Sequence, residues 1–321
     1  MRLPPWLEET WRSLSARLER KQLPHALLIT GAPGLGKRQL VDALLAAALC
    51  EQRDADGFAC GRCRACVLMA AGSHPDRSAV SFGFRDDGKQ RTEITVDQIR
   101  ELSQKLSLST QFGGLQLVTI DPAEAMNANA ANALLKTLEE PTSSTVIVLV
   151  TDRPARLPAT IRSRCQRIEV RPPALPQARE WLLAQAVNAG QVDAALQASL
   201  GNPGQALQAL GDDSLGLRDA CARDLALLRS PRGSALAVAE AWKDDRPAER
   251  LWHAAVLVRE ESIRLAQGEP AQLGLTDATE IPKLAAWFAS ANRARELLNS
   301  PLRGELVLLD LLHSWQLSRR N

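Results

Sequence analysis

The residues of this chain with the clearest chemical potential form a glycine-rich run, Gly31-Ala-Pro-Gly-Leu-Gly-Lys37-Arg38, directly after an apolar stretch at 26–30. A strand-to-helix turn of this composition cradles phosphate. Gly31, Gly34 and Gly36 let backbone N–H groups wrap the anion, the helix N-terminus adds positive potential, and Lys37 reaches the β- and γ-phosphates. The next position normally carries Ser or Thr, whose hydroxyl holds Mg²⁺. Here it is Arg38, a cation that cannot ligate a metal. A second apolar run at 117–121 ends in Asp121, as a Walker B strand does, but Pro122 stands where an ATPase has its water-polarising Glu. Glu124, three positions further on, is the nearest substitute. Hydrolysis is therefore not expected. ATP binding stays open because Lys37 and the glycines persist, and so does the reading of a glycine turn that holds nothing.

The second constellation is Cys50-x9-Cys60-x2-Cys63-x2-Cys66. Four thiolates close a tetrahedral Zn²⁺ site and leave no open position, which points to structure rather than catalysis. An iron–sulfur cluster is the chemical alternative, although no Cys-Pro continuation follows Cys66, and free thiols are the remaining reading. A zinc ribbon that grips DNA is a further reading of the same residues; Arg62 and Arg64 are basic, but only Phe58 offers a stacking ring. Cys165 and Cys221 read as buried apolar residues.

The third feature is Arg164, in Ile161-Arg-Ser163-Arg164-Cys165, between a short helical pattern at 158–161 and a strand pattern at 167–170. Arginines at such a junction are commonly solvated surface charges. Ring-shaped ATPases, however, place an arginine here to reach the γ-phosphate held by the next subunit. Such a finger is worth about 10³–10⁵ in rate.

Elements must position these groups. Short β-branched and Leu-rich runs at 26–30, 78–82, 115–121, 146–151 and 167–170 alternate with helical patterns at 38–49, 96–108 and 129–138, as in a parallel α/β sheet. Residues 146–150 carry no polar side chain, which suits a strand covered on both faces. After Pro172-Pro173 the texture changes to Ala/Leu-rich helices, broken by Gly201-Asn-Pro-Gly204. From 212 onward there is almost no strand signal. Trp252, Val256, Arg259 and Ile263, and Leu306, Leu309, Leu312 and His313, lie at helical spacing and read as bundle core or subunit interface.

The chain has 321 residues, enough for about two domains. Lysine plus arginine number 39 and aspartate plus glutamate 37, so a net charge of +2 demands neither a nucleic-acid nor a membrane partner. With 45% hydrophobic and 24% charged residues the composition is globular rather than disordered. Clustered cysteines without a secretory leader or a spanning segment indicate a reducing, cytoplasmic compartment and no membrane.

The phosphate loop beside the four-cysteine insertion, Ser73-His-Pro-Asp76, Asn132-Ala-Leu-Leu-Lys-Thr-Leu-Glu-Glu-Pro141 and Ser163-Arg164-Cys165 together closely resemble the delta-prime subunits of bacterial DNA polymerase III clamp loaders, a branch of the AAA+ clamp-loader family. The resemblance covers the N-terminal two-thirds. It implies an α/β fold followed by all-α: an AAA+ P-loop parallel-sheet domain at 1–171 with a zinc module at 50–66, a small helical lid at 172–211, and a helical collar at 212–321. It implies a stator that joins gamma/tau and delta subunits and helps load a sliding clamp onto primer–template DNA, with Arg164 completing an adjacent gamma/tau ATP site in trans and the four cysteines holding zinc. The alternative is a working gamma/tau-like ATPase. Arg38 and Pro122 oppose it, as does Gln205, which stands after Gly204 where active relatives place a sensor arginine. Thr151 matches the polar position that ends a core strand. Some family members lack even the loop lysine, whereas this chain keeps Lys37.

Overall fold

Five apolar runs become parallel strands: β1 (Ala26–Thr30), β2 (Arg77–Val80), β3 (Gln116–Ile120), β4 (Thr145–Thr151) and β5 (Gln166–Glu169), in the order β2-β3-β4-β1-β5. The structure, a computed structural model, describes residues 3–84, 88–112, 114–142, 144–185, 187–273, 280–298 and 302–317. The central strands β1, β3 and β4 are buried along their whole length, whereas β5 is an exposed edge. Alternation decides which side chain serves which layer. Leu27, Ile29, Val146, Val148 and Val150 pack on one face with α1 (Glu8–Glu19) and α2 (Lys37–Leu49). Ala26, Leu28, Ile147 and Leu149 pack on the other with α4 (Val96–Leu106), α5 (Ala128–Glu139) and α6 (Ala159–Arg162); the short α3 (Arg64–Ala70) carries the last of the clustered cysteines.

Strand β2 starts and ends earlier than the expected 78–82. Beyond Val80 the backbone is taken by other partners: Gln98 Nε2 donates to Ser81 O at 2.9 Å, and Arg91 N donates to Gly83 O at 2.7 Å. Helix α4 carries a full capping box between Thr95 and Gln98, which explains its sharp start.

The chain divides into two compact units, Met1–Trp181 with Asn202–Gln205, and Leu182–Gly201 with Ala206–Asn321. The helices after the sheet are α7 (Leu175–Leu183), α8 (Val192–Ala198), α9 (Pro203–Gly211), α10 (Ser214–Leu228), α11 (Ala235–Lys243), α12 (Pro247–Ala266), α13 (Ile281–Leu297) and α14 (Gly304–Leu317). Leu225, Leu228, Trp242, Leu251, Val258, Leu284, Leu308 and Trp315 belong to one core cluster there. Its indoles are satisfied: Trp242 Nε1 donates to Asp224 at 2.8 Å and Trp315 Nε1 to Leu225 O at 2.9 Å. Only part of each stripe expected as bundle core or subunit interface lies in this core. On α12 Val256 is buried, but Arg259 and Ile263 are exposed, and on α14 the buried residues are Leu308, Leu311, Leu312 and Trp315 rather than Leu306. These helices contain so many Leu and Ala residues that several faces satisfy the spacing rule, and packing selects among them.

Candidate functional site

The glycine turn forms between β1 and α2. Gly31, Gly34 and Gly36 adopt φ of +150°, +84° and +81°, a region that is costly for any residue with a Cβ. A Cβ on Gly204 would lie 1.9 Å from Gly34 O, and Asn202 Nδ2 donates to Pro33 O at 2.8 Å. The turn at 202–205 thus lies directly against the phosphate loop. Gln205, which follows Gly204, donates its backbone N–H to Asn202 Oδ1 at 3.2 Å.

The two cations of the loop are already engaged. Lys37 is 2% exposed; its Nζ donates to Ala32 O and pairs with Asp152 Oδ1, both at 2.6 Å. Arg38 forms a two-pronged fork on Asp121, Nε to Oδ2 at 2.6 Å and Nη2 to Oδ1 at 2.8 Å. That contact raises the Arg38 pKa further above its ordinary value. Both oxygens of the Walker B carboxylate are therefore covered by a guanidinium. Glu124 is turned into the same site, and its Oε1 accepts the Asp152 N–H at 3.3 Å. Thr151 is buried at the end of β4 and accepts the Arg153 N–H at 3.0 Å. Asp121, Asp152 and Glu124 all bear electrostatically on Arg38. Three carboxylates around two cations leave the site with an excess of negative charge, which is adverse to a polyphosphate.

The four cysteines converge. Cys50 follows α2, Cys63 caps the N-terminus of α3, and Cys66 lies in its first turn. All four Sγ atoms lie within 4.8 Å of one another, with Cys50 to Cys63 at 3.9 Å and Cys60 to Cys66 at 4.0 Å. A tetrahedral ion with sulfur at about 2.3 Å needs sulfur separations of about 3.8 Å. Backbone N–H groups donate to the sulfurs, Cys60 N to Cys50 at 3.2 Å and both Cys63 N to Cys60 and Cys66 N to Cys63 at 3.4 Å. Such bonds favour thiolate. The N–H groups of Arg62 and Cys63 draw the Cys60 thiol down to about 6, while burial pushes Cys66 up to about 12. The set can hold a metal ion.

Arg164 lies between α6 and β5 with its side chain 36% exposed. Its Nη1 donates to Thr160 O at 3.0 Å, and its Nη2 pairs with the Glu139 carboxylate. Ile161 and Cys165 on either side are buried in the same cluster as Leu134 and Leu138 of α5, so the root of the arginine is fixed. Burial raises the Cys165 thiol to about 11, which leaves it inert as a nucleophile. Ser73-His-Pro-Asp76 serves the scaffold: Asp76 accepts the N–H groups of Gln111 and Phe112 at 2.8 and 3.0 Å and pins the segment after α4.

Residues 6–174 match the family described as "DNA polymerase III, delta subunit". The DNA polymerase III subunit delta' of Escherichia coli strain K12 is 35% identical over 98% of this chain and 88% of its own length. Its Yersinia pestis counterpart is 33% identical over 97% of this chain and 95% of that relative. The Pseudomonas aeruginosa subunit delta' is 43% identical over 56% of this chain and 52% of its own length. The chain belongs to the DNA polymerase III delta' family.

For this delta' family member the sequence-derived groups fall into three places: the phosphate loop with Asp121, the cysteine cluster, and Arg164. Three participants escape a sequence reading. Asp152 holds Lys37, Asn202 braces the loop, and Glu139 holds Arg164. Each is a polar residue in a recognisable segment, next to Thr151, within Gly201-Asn-Pro-Gly204, and within Leu-Glu-Glu-Pro. Only the tertiary fold shows which partner it meets.

Proposed function

We propose that this chain is the stator of a DNA polymerase III clamp loader, unable to turn over ATP itself and acting on a neighbouring gamma/tau ATP site through Arg164. The observation that carries this reading is the Arg38 fork on Asp121. In a working site, a hydroxyl and this carboxylate share responsibility for Mg²⁺. Here a guanidinium replaces the hydroxyl and occupies both oxygens of Asp121, so that carboxylate is not left for a metal. Lys37 is paired with Asp152, a contact that a phosphate would have to displace. ATP is at most held weakly and without Mg²⁺; Pro122 cannot polarise water, and Glu124 Oε1 is taken by the Asp152 N–H.

In this reading residues 1–171 form the AAA+ domain, 172–211 the lid and 212–321 the collar, with gamma/tau and delta as partners. The clamp and primer–template DNA are met through the assembled complex in the bacterial cytoplasm. Among the described residues no helix is long and apolar enough to cross a membrane. Zinc is the ion that Cys50, Cys60, Cys63 and Cys66 suit best, since four sulfurs this close enclose one ion, whereas a cluster spreads its ligands wider. Bound there, zinc supplies a structural crosslink from the end of α2 to the start of α3.

Arg38→Thr tests the idle site. It frees Asp121 and restores a hydroxyl, so titration with a fluorescent ATP analogue should show at least about tenfold tighter binding in Mg²⁺ than in EDTA, about 1.4 kcal/mol. ATP turnover by the variant should stay at background. A wild-type chain whose ATP affinity already depends on Mg²⁺ to that degree contradicts the proposal.

A further inference from the structure

The contact between Arg164 and Glu139 bears on how the arginine is presented, and its significance rests on the proposed role of Arg164 as a group that enters a neighbour's ATP site. A guanidinium carries five N–H donors in a rigid plane. Two groups of this chain engage it: the backbone carbonyl of Thr160, from Nη1, and the carboxylate of Glu139, from Nη2. These contacts leave N–H donors of Arg164 for an incoming phosphate. Thr160 and Glu139 lie on different helices, α6 and α5, and both helices are anchored by buried side chains (Ile161, Leu134 and Leu138) in one apolar cluster. The guanidinium is thus held from two directions by a rigid frame, although its side chain is 36% exposed. An arginine on the surface otherwise samples many rotamers, and that freedom is lost when it docks on an anion.

We infer that Glu139 is a positioning residue for Arg164: it sets the guanidinium in its working direction before the neighbouring phosphate arrives. Glu139 does not touch the reacting atoms. Its contribution is electrostatic and directional, through the ion pair that its carboxylate makes with Nη2 at the end of α5. Glutamine keeps the length of the side chain but not its charge, and alanine keeps neither. The next residue, Glu140, does not substitute, because the chain leaves the helix there with φ −124° and ψ 63°.

The test uses clamp loader reconstituted from complete subunits, with this chain as wild type, Glu139→Ala, Glu139→Gln or Arg164→Ala. Single-turnover ATP hydrolysis is followed in the presence of clamp and primed DNA. Glu139→Ala should slow the step that depends on Arg164 by about tenfold while leaving the ATP concentration for half-maximal rate unchanged. Glu139→Gln, which loses the charge but keeps the length, should slow the step to a similar degree. All variants should assemble equally by size exclusion and keep the thermal midpoint of the wild-type chain. If Arg164→Ala slows the reaction and Glu139→Ala does not, the positioning role is wrong and the finger reading stands. A faster Glu139→Ala loader would show a restraint on the arginine instead, and a Glu139→Gln loader as fast as wild type would show that the carboxylate charge does not hold the arginine; either overturns the inference. If Arg164→Ala itself leaves the rate unchanged, the underlying finger reading fails.

Discussion

Serine at both Cys60 and Cys63 is expected to leave the sheet folded while opening the segment from Cys50 to Ala70. A structural zinc ion bound by four thiolates contributes about 10–16 kcal/mol of apparent binding free energy at neutral pH. Little else holds this segment. Within 51–63 the backbone bonds are few, chiefly Asp54 N to Phe58 O at 2.9 Å and Gly57 N to Asp54 O at 3.0 Å. Tertiary support comes from Phe58 stacked on Trp11, ring centroids 4.3 Å apart, and from Trp11 Nε1 donating to Asp56 O at 3.0 Å. The strands draw most of their burial from residues outside this stretch, from which Phe58 and Met69 pack only at the margin of the cluster, so they survive its loss. Limited trypsin digestion should therefore cut the double variant, or the chelator-treated wild type, at Arg53, Arg62 and Arg64 at least about tenfold faster, with the far-UV circular dichroism largely retained.

Acid should act in the same direction. Metal binding requires thiolates, and protons compete for the sulfurs as pH falls. The buried Cys66, whose thiol is pushed up to about 12, holds its proton at neutral pH and gives it up only to the metal. Zinc retention is thus favoured at high pH and lost on acidification. Protease resistance in the double variant equal to that of wild type would contradict the role of these cysteines as a staple.

Loss of Arg164 is the second large effect expected. A finger acting in trans supplies about 10³–10⁵ in rate, roughly 4–7 kcal/mol of transition-state stabilisation. With Arg164→Ala in the assembled loader, the neighbouring site should drop out of the rapid phase, so a rapid-quench burst measured with clamp and primed DNA should fall by one ATP per complex. Chain stability should barely move, because the ion pair with Glu139 is half-exposed and such pairs contribute at most about 1 kcal/mol. An undiminished burst from correctly assembled complex would contradict the assignment.

Much of this was legible in the residues themselves, for local reasons. The apolar run in β4 and the glycines around Lys37 encode their own backbone geometry, so the strand and the turn could be placed before any fold was known. The four cysteines carry their chemistry in their spacing. Arg38 and Pro122 were legible as missing parts of an ATPase site, because metal ligation and water activation demand particular residue types. What replaces the missing metal was not legible. The fork from Arg38 to Asp121 joins a helix start to the end of a strand far along the chain, and only the parallel order of β3, β4 and β1 brings them together. The same holds for Asp152 on Lys37 and Glu139 on Arg164: one acidic residue among several nearby is selected by register. In the C-terminal helices, periodicity was too permissive. Leu306 and Ile263 fit a helical stripe yet stay exposed, whereas Glu261 is fully buried, accepting the N–H groups of Gln272 and Leu273 and pairing with Arg264.

The central claim is that this chain is idle as an ATPase and active on its neighbour. The most direct measurement is ATP turnover by purified gamma/tau and delta subunits, with clamp and primed DNA, as this chain is titrated in. Expected are no turnover by the isolated chain, a saturable rise in the rate when the wild-type chain joins the partners, and little or no rise with Arg164→Ala. Turnover by the isolated chain, or equal stimulation by the Arg164→Ala chain, would contradict that claim.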